Sequence, residues 1–297
     1  MYKEFYRLRL NPFEMTPDPS FLFLTRRHQE ALMALYYGVH RRKGFVALTG
    51  DVGTGKTLLI RCLLRMLKDS EIACAYVFNS RLSTLDFLHY VATEFGLAAS
   101  GKTKGEVLQD LRKHLIDRHQ KNLTNMIVVD DAQGLSIKLL EEIRLLTNLE
   151  TEQEKLLQIL LVGQPELDEK LDSFELRQLR QRIALRSHLE PLDLEETGGY
   201  IRHRLQLAGA PEACDLFAEE TIARIYRHSR GVARLINTVC ENALVTAFAR
   251  QLTSVPPDII DEVAYDLRLG VASSPRLERR KNNDVVLEAH RDPASIV

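Results

Sequence analysis

A chain of 297 residues with 45% apolar and 27% charged residues can bury a sizeable core and has room for one large domain or two ordinary ones. Its 40 Lys and Arg offset 41 acidic residues, a net charge of -1, so no bulk field draws it to nucleic acid or to an anionic membrane surface. No apolar run approaches the ~20 residues needed to span a bilayer, which excludes direct insertion as a single helix.

The first 24 residues are dense in turn formers, with Pro12, Pro17 and Pro19 excluding a regular helix across them. Phe13, Phe21 and Phe23 interleave with these prolines and suggest an extended segment pinned onto a surface. Residues 27–42 repeat apolar side chains at Ala31, Leu35 and Val39, the helical period. Residues 44–49 then form a short apolar run bounded by glycines, which reads as a strand buried on both faces. A glycine-rich turn leads into a helix over 58–67, a second strand over 72–78, and helices over 85–95 and 107–116. Residues 126–129 are a third strand, 139–149 a helix, 156–162 a fourth strand and 183–189 a fifth. Such alternation predicts an α/β fold: a parallel sheet with helices on both faces. After Leu192 the strand pattern stops, and 194–207, 218–226, 232–248 and 259–267 all read as helices. Residues 273–283 are polar and charged and read as a disordered tail.

Residues 50–57, Gly50-Asp51-Val52-Gly53-Thr54-Gly55-Lys56-Thr57, match the full GxxxxGK[ST] pattern between a predicted strand and a predicted helix. Glycines let such a loop turn its backbone N–H groups inward, and the helix start adds positive dipole for phosphates. This assigns the eight loop residues and Leu58 to nucleotide binding, with Lys56 reaching the β- and γ-phosphates of ATP and Thr57 offering its hydroxyl to Mg²⁺. Magnesium also needs a carboxylate from a second strand end. Met126-Ile127-Val128-Val129-Asp130-Asp131 supplies one: Asp130 for the metal and Asp131 as the base for the attacking water. The stretch 61–125 leaves room for a strand inserted between these two motif strands.

Gln164 ends the fourth strand and is a candidate to touch the γ-phosphate or the water. Two groups of arginines follow: Arg177, Arg180 and Arg182, and then Arg234 in Gly231-Val232-Ala233-Arg234-Leu235-Ile236-Asn237. An arginine brought to a γ-phosphate stabilises developing charge, although arginine clusters also serve as solvated helix faces. The cysteines Cys62, Cys74, Cys214 and Cys240 form no CxxC pair and no zinc spacing, and read as reduced core thiols. His28 reads as a helix-start residue rather than a ligand.

Taken together these residues resemble the AAA+ ATPases of the ExeA/GspA, or general secretion pathway protein A, type. The resemblance runs from Phe5-Tyr6, Asn11-Pro12-Phe13 and Thr16-Pro17-Asp18-Pro19 through the two phosphate motifs. It continues in Asp130-Asp131-Ala132-Gln133, Val162-Gly163-Gln164-Pro165-Glu166-Leu167, Leu179-Arg180-Gln181-Arg182-Ile183 and the Arg234 segment. It implies a P-loop core at 25–192, a helical lid at 193–270, an N-terminal segment at 1–24 closing over the adenine, and a tail at 271–297. It further implies ATP hydrolysis between subunits of a homo-oligomer, with Arg182 acting in trans and Arg234 sensing nucleotide from the lid. The partner it implies is a protein, such as a membrane-bound secretion or export component. Three departures stand out. Asp131 replaces the usual Glu, Ala233 replaces the usual Pro, and the chain ends without a transmembrane segment or a wall-binding domain, so direct wall binding is not expected.

The leading expectation is a cytoplasmic ATPase that remodels a partner. The short Asp131 carboxylate also fits a nucleotide-gated switch with little hydrolysis. A DNA-associated ATPase is the less favoured third reading, resting on Arg202, His203 and Arg204 or on the basic run at 276–281.

Overall fold

The structure is a computed structural model, and it describes residues 1–68, 72–79, 81–151, 154–210 and 216–269. Five apolar segments become the strands of one sheet: β1 Phe45–Gly50, β2 Ala73–Val77, β3 Asn125–Val129, β4 Leu157–Gly163 and β5 Ile183–Leu189. Their order is β2-β3-β4-β1-β5, and all pairings are parallel. Every residue of β1, β3 and β4 is buried, as expected for the largely apolar central strands of a parallel sheet, and the polar exceptions Thr49, Asn125 and Gln158 are buried with them. The strand inserted between the two motif strands is therefore β4, from beyond the second motif, and not β2 from the stretch between them. β2 has half-buried positions and takes the edge.

Alternation of side chains along the strands divides the core into two layers. Phe45, Ala47, Ile127, Val129, Ile159 and Leu161 face one side, against Phe87 of α4 (Thr84–Glu94), Leu111 of α5 (Lys104–Gln120) and Ile143 of α6 (Ile137–Leu146). Val46, Leu48, Met126, Val128, Leu160 and Val162 face the other, against Leu35 of α2 (Arg26–His40) and Leu63 of α3 (Lys56–Met66). Each large side chain removed from water here stabilises the fold by about 1.5–3 kcal/mol. The helices begin where the sequence offers a cap. Thr25, Ser83 and Ser136 accept backbone N–H groups of the first turn, and Thr103 with Glu106 closes a capping box on α5.

Within the sheet region two short helices, α7 (Pro165–Asp172) and α8 (Arg177–Arg180), were not anticipated, and neither was the single turn α1 (Tyr2–Phe5) in the stretch read as extended. Helices α7 and α8 carry too few turns to show a period: their buried apolar residues are only Leu167 and Leu171, and then Leu179. Pro165 at the first helical position and the acids Glu166 and Asp168 in the first turn start α7 instead.

Beyond β5 the chain forms α9 (Leu194–Leu207), α10 (Glu219–Ser229), α11 (Ala233–Ala249) and α12 (Pro257–Asp266) around a separate core that includes Ile201, Ile225, Val239, Leu244 and Ile260. The N-terminal residues join this core rather than the sheet. After a single turn, α1 (Tyr2–Phe5), Tyr6, Leu8 and the fully buried Phe13 pack into it, and the Arg9 and Leu10 N–H groups donate to the Ala208 carbonyl at 2.7 and 3.3 Å. Further along, the Pro17 carbonyl accepts from Arg61 of α3 at 2.5 Å. The segment thus bridges the helical region and the sheet region. Cys62 and Cys240 are buried, Cys74 is half-buried, and all three are free thiols; Cys214, the expected tail at 271–297 and its basic run lie outside the described residues.

The helical region is joined to the sheet region at one tight crossing. The Leu192 N–H donates to the Gly231 carbonyl at 2.9 Å, and a Cβ on Gly231 would lie 1.8 Å from the Leu192 carbonyl oxygen, at φ +75°. Gly231→Ala forces this contact apart and strains the backbone. Urea unfolding of that variant is expected to show a loss of about 3 kcal/mol or more. A variant within about 0.5 kcal/mol of the parent would show that the crossing does not constrain the fold.

Candidate functional site

Parallel strands deliver their C-terminal ends to one edge, and a cleft forms there, outside the strand ends. β1 runs into the loop 50–57, whose last residues open α3; β3 ends in Asp130 and Asp131; and β4 ends in Gln164. The start of α11 closes the cleft from the helical side. The Arg234 N–H donates to the Gly53 carbonyl at 3.1 Å, and a Cβ on Gly53 would lie 2.7 Å from the Arg234 Cβ. Only glycine fits that approach, and its φ of +86° also favours glycine.

The resulting cavity is about 380 Å³. It is lined by Lys56, Thr57, Asp130, Asp131, Gln164 and Arg234, and by residues 14–18 with Tyr200, Arg204 and Asn237, a group tied together by the Tyr200–Asn237 and Asn237–Glu14 hydrogen bonds. Val52, Gly53, Gly55 and Leu58 also border it. Gly50, Asp51 and Thr54 do not. The first two hold the loop through their carbonyls, which accept from Lys56 Nζ at 2.6 and 2.8 Å. Thr54, 3% exposed, donates its hydroxyl to the Asp51 carbonyl at 2.8 Å. Burial pushes the Lys56 ammonium below its usual range, opposed by Asp130, Asp131 and Asp51.

Thr57 and Asp130, 73 residues apart, meet at the strand edge: the Thr57 hydroxyl donates to Asp130 Oδ2 at 3.2 Å. A hydroxyl and a carboxylate are the hard oxygen donors that Mg²⁺ takes when waters and phosphates complete its octahedron. The sequence reading missed the third member of this group. Tyr76 on β2 donates its hydroxyl to the same Asp130 oxygen at 2.7 Å, and burial, then this hydrogen bond, push its pKa up. Tyr76 stands opposite Val128, two residues before Asp130 and on the same face, so the strand register would have revealed it.

Asp131 adopts the left-handed conformation, φ +54°. Its carboxylate accepts from Gln133 Nε2 at 3.2 Å, while Gln133 Oε1 accepts the Gln164 N–H at 3.1 Å. Gln133 therefore ties the β3 end to the β4 end, a role that no sequence signal beyond its place after the acids marked. Arg182 is not at this cleft. It precedes β5, whose first residue pairs with the start of β1, so it lies at the far edge of the sheet, where it donates to Thr147 Oγ1 and Asn148 Oδ1 at 2.7 Å each. Arg177 stacks on the exposed Phe174 ring at 4.2 Å, and Arg180 is exposed on α8. None of the three reaches the cleft of its own chain.

These features define the class: the chain carries an AAA domain on a P-loop NTPase fold. An AAA domain is matched over residues 39–171. Over 268 residues, 90% of its length, the chain is 42% identical to general secretion pathway protein A of Aeromonas hydrophila, and the resemblance read from the sequence is thereby shown. It spans 48% of that relative. The fold is shared with the ORC2 protein of Aeropyrum pernix in its ADPNP–ADP complexes (18% identity, TM-score 0.65, 86% of this chain and 71% of that one). It is shared also with Cdc6p of Pyrobaculum aerophilum (20% identity, TM-score 0.64, 84% and 71%) and with the RuvB branch migration motor of Thermotoga maritima (15% identity, TM-score 0.53, 86% and 73%).

His28 supports the loop from below. Its ring Nε2 lies 3.3 Å from the Thr54 carbonyl and Nδ1 lies 2.7 Å from the Thr25 hydroxyl, a pairing that a neutral ring completes by donating to the first and accepting from the second. Burial holds its pKa below the ordinary value, against the Thr54 bond and Glu196, which favour the charged form. The unfolded chain therefore binds a proton near pH 6.5 that the folded chain refuses, so this contribution is complete above pH 6.5 and is lost as pH falls below it. Urea unfolding between about pH 7.5 and 5 should show stability falling by at most about 1.4 kcal/mol per unit relative to His28→Gln. Parallel profiles for the two proteins would remove His28 from this role.

Proposed function

We propose that the chain binds Mg·ATP in this cleft and hydrolyses it. The observation that carries the reading is the meeting of Thr57 and Asp130, which gives two oxygen donors beside a lysine, 8% exposed, at the mouth of a helix. Thr57 and Asp130 would hold magnesium there, and the ion would supply neutralisation of phosphate charge. Lys56 leaves the carbonyls of its own loop for the phosphates, Gln164 orients the attacking water, and Asp131 takes its proton. Arg234, fixed at the loop by its backbone, reads the phosphates from the lid.

Arg182 acts in a neighbouring copy. Its position at the far edge of the sheet, away from its own cleft, supports this, and acting there requires it to leave Thr147 and Asn148. Turnover then drives assembly or remodelling of a protein partner, and the similarity to general secretion pathway protein A supports a partner in secretion or envelope export. Among the described residues no helix is long and apolar enough to cross a membrane, so our reading has the chain in the cytoplasm and at the inner membrane only through that partner. DNA has less support. Arg202 is ion-paired to Glu219 at 2.8 Å and Arg204 is 5% exposed, so of the three lid residues offered as phosphate contacts one is engaged and one is withdrawn from the outer surface.

The conformation of Asp131 favours slow turnover, the behaviour of a switch. Its short carboxylate is drawn to Gln133, and a small misplacement of a base can reduce a rate by about 10²-fold. Nucleotide binding and phosphate release by the full chain test the reading. Wild type is expected to bind Mg·ATP and release phosphate slowly, Lys56→Ala to do neither, and Asp131→Glu to raise turnover by up to about 10²-fold. Wild type that ignores Mg·ATP would sink the proposal, and an Asp131→Glu variant no faster than wild type would remove the switch.

A further inference from the structure

Arg204, on the last turn of α9, is a cation in an unusual position. It is 5% exposed, yet it lines the cleft beside residues 14–18 and Asn237. Its guanidinium lies between two aromatic rings, 4.9 Å from the centre of Phe21 and 5.3 Å from that of Tyr200. Among the described residues it has one hydrogen bond, from Nη1 to the Tyr200 hydroxyl at 2.6 Å, and Nε is buried without an acceptor. Tyr200 passes its own proton on, to Asn237 Oδ1 at 2.8 Å, so that oxygen is not free for the arginine. Among the described residues no carboxylate lies within ion-pair distance, although the charge is close enough to Asp18 to add to the Ser20 hydrogen bonds that lower that carboxyl's pKa.

A guanidinium can give five N–H bonds and cannot shed its proton. Burying such a charge without a counter-ion costs several kcal/mol, of which two cation–π contacts offset only part. Packing alone would be served by methionine. Nε is closed off by protein, so the donor left for a ligand is Nη2, which has no hydrogen-bond partner among the described residues and is not sealed from the cleft. An acceptor for it must be flat or small enough for a slot framed by Phe21 and Tyr200. It must also lie at the part of the cleft lined by residues 14–18, apart from Lys56 and Thr57, which take the phosphates.

Resting on the nucleotide-binding reading above, we propose that Arg204 is a specificity-determining residue that donates a hydrogen bond to a ring nitrogen of the purine base. Phe21 and Tyr200 hold the guanidinium plane, and Asn237 fixes Tyr200 through its hydroxyl. Phosphates are read by one end of the cleft and the base by the other, so the residue selects for the nucleoside half of the ligand and acts equally on di- and triphosphate.

Titration calorimetry of the full chain with Mg·ATP and its 1-deaza, 3-deaza, 7-deaza, 2′-deoxy and 3′-deoxy analogues tests this. One deaza analogue is expected to bind wild type about tenfold or more weakly than ATP, the size of a charge-assisted hydrogen bond, and that difference should vanish in Arg204→Met and persist in part in Arg204→Lys. Thermal melts of the ligand-free variants establish that they fold; if Arg204→Met does not, the wild-type analogue profile decides by itself. Deaza analogues that all bind wild type like ATP would overturn the proposal. So would a penalty unchanged in Arg204→Met, or one confined to the deoxy analogues. Wild type that binds no ATP at all sinks the nucleotide reading itself, a different result from ATP bound with an indifferent base.

Discussion

Asp130 stands beside Thr57 even though β4 separates β1 from β3. Neighbouring strands are spaced by about 4.8 Å, so one intervening strand puts the ends of β1 and β3 about 10 Å apart, and the loop after β1 must then lean back across β4 to close the gap. The glycines of that loop, the buried Lys56 and the first turn of α3 are the means of leaning back. The rest of the cleft follows from this geometry. Gln164 is at the end of the very strand that intervenes, so it faces whatever occupies the gap. Gln133 then ties it to the β3 end, and Tyr76 on β2 braces Asp130 from the opposite side.

A second constraint joins the helical region to this edge. Gly231 and Gly53 are positions where two backbones touch, one against Leu192 and the other against Arg234. The N-terminal segment completes the enclosure. It is held by apolar contacts to the helical core through Phe13 and by one carbonyl to Arg61 of the sheet region, so it spans the cleft between two anchors of unequal strength. The cleft wall is thus assembled from the N-terminal segment, the sheet edge and the helical region.

Much of this was legible in the sequence because periodicity and motif agree. Buried β1, β3 and β4 were visible as largely apolar runs, and β5 and α9 were bounded correctly because Leu189 and Asp193 mark a clear change of period and a capping residue. The phosphate loop and Asp130 were legible because the chemistry demands those residues after those strands. What escaped depends on register and on distance in space. Tyr76 carries no local signal of its partner, Gln133 works through two bonds to other strand ends, and α7 is too short for a period to be seen. The order of strands was likewise hidden, since a sequence gives the succession of strands and not which one slips between two others. Arg204 illustrates the same limit. In the sequence it stands in a basic cluster that reads as a solvated face, and only packing by Phe21 and Tyr200 reveals a buried cation.

The bond between Arg234 and the loop is made by main-chain atoms, the N–H of one residue and the carbonyl of another. A peptide N–H is common to all residues but proline, so the mechanical seating of the lid on the phosphate loop is indifferent to which side chain occupies position 234. In our reading the Arg234 guanidinium also recognises charge, so charge recognition and domain docking at this residue are chemically separable. Evolution could retune the first, by exchanging the guanidinium, while leaving the hinge between the two halves intact.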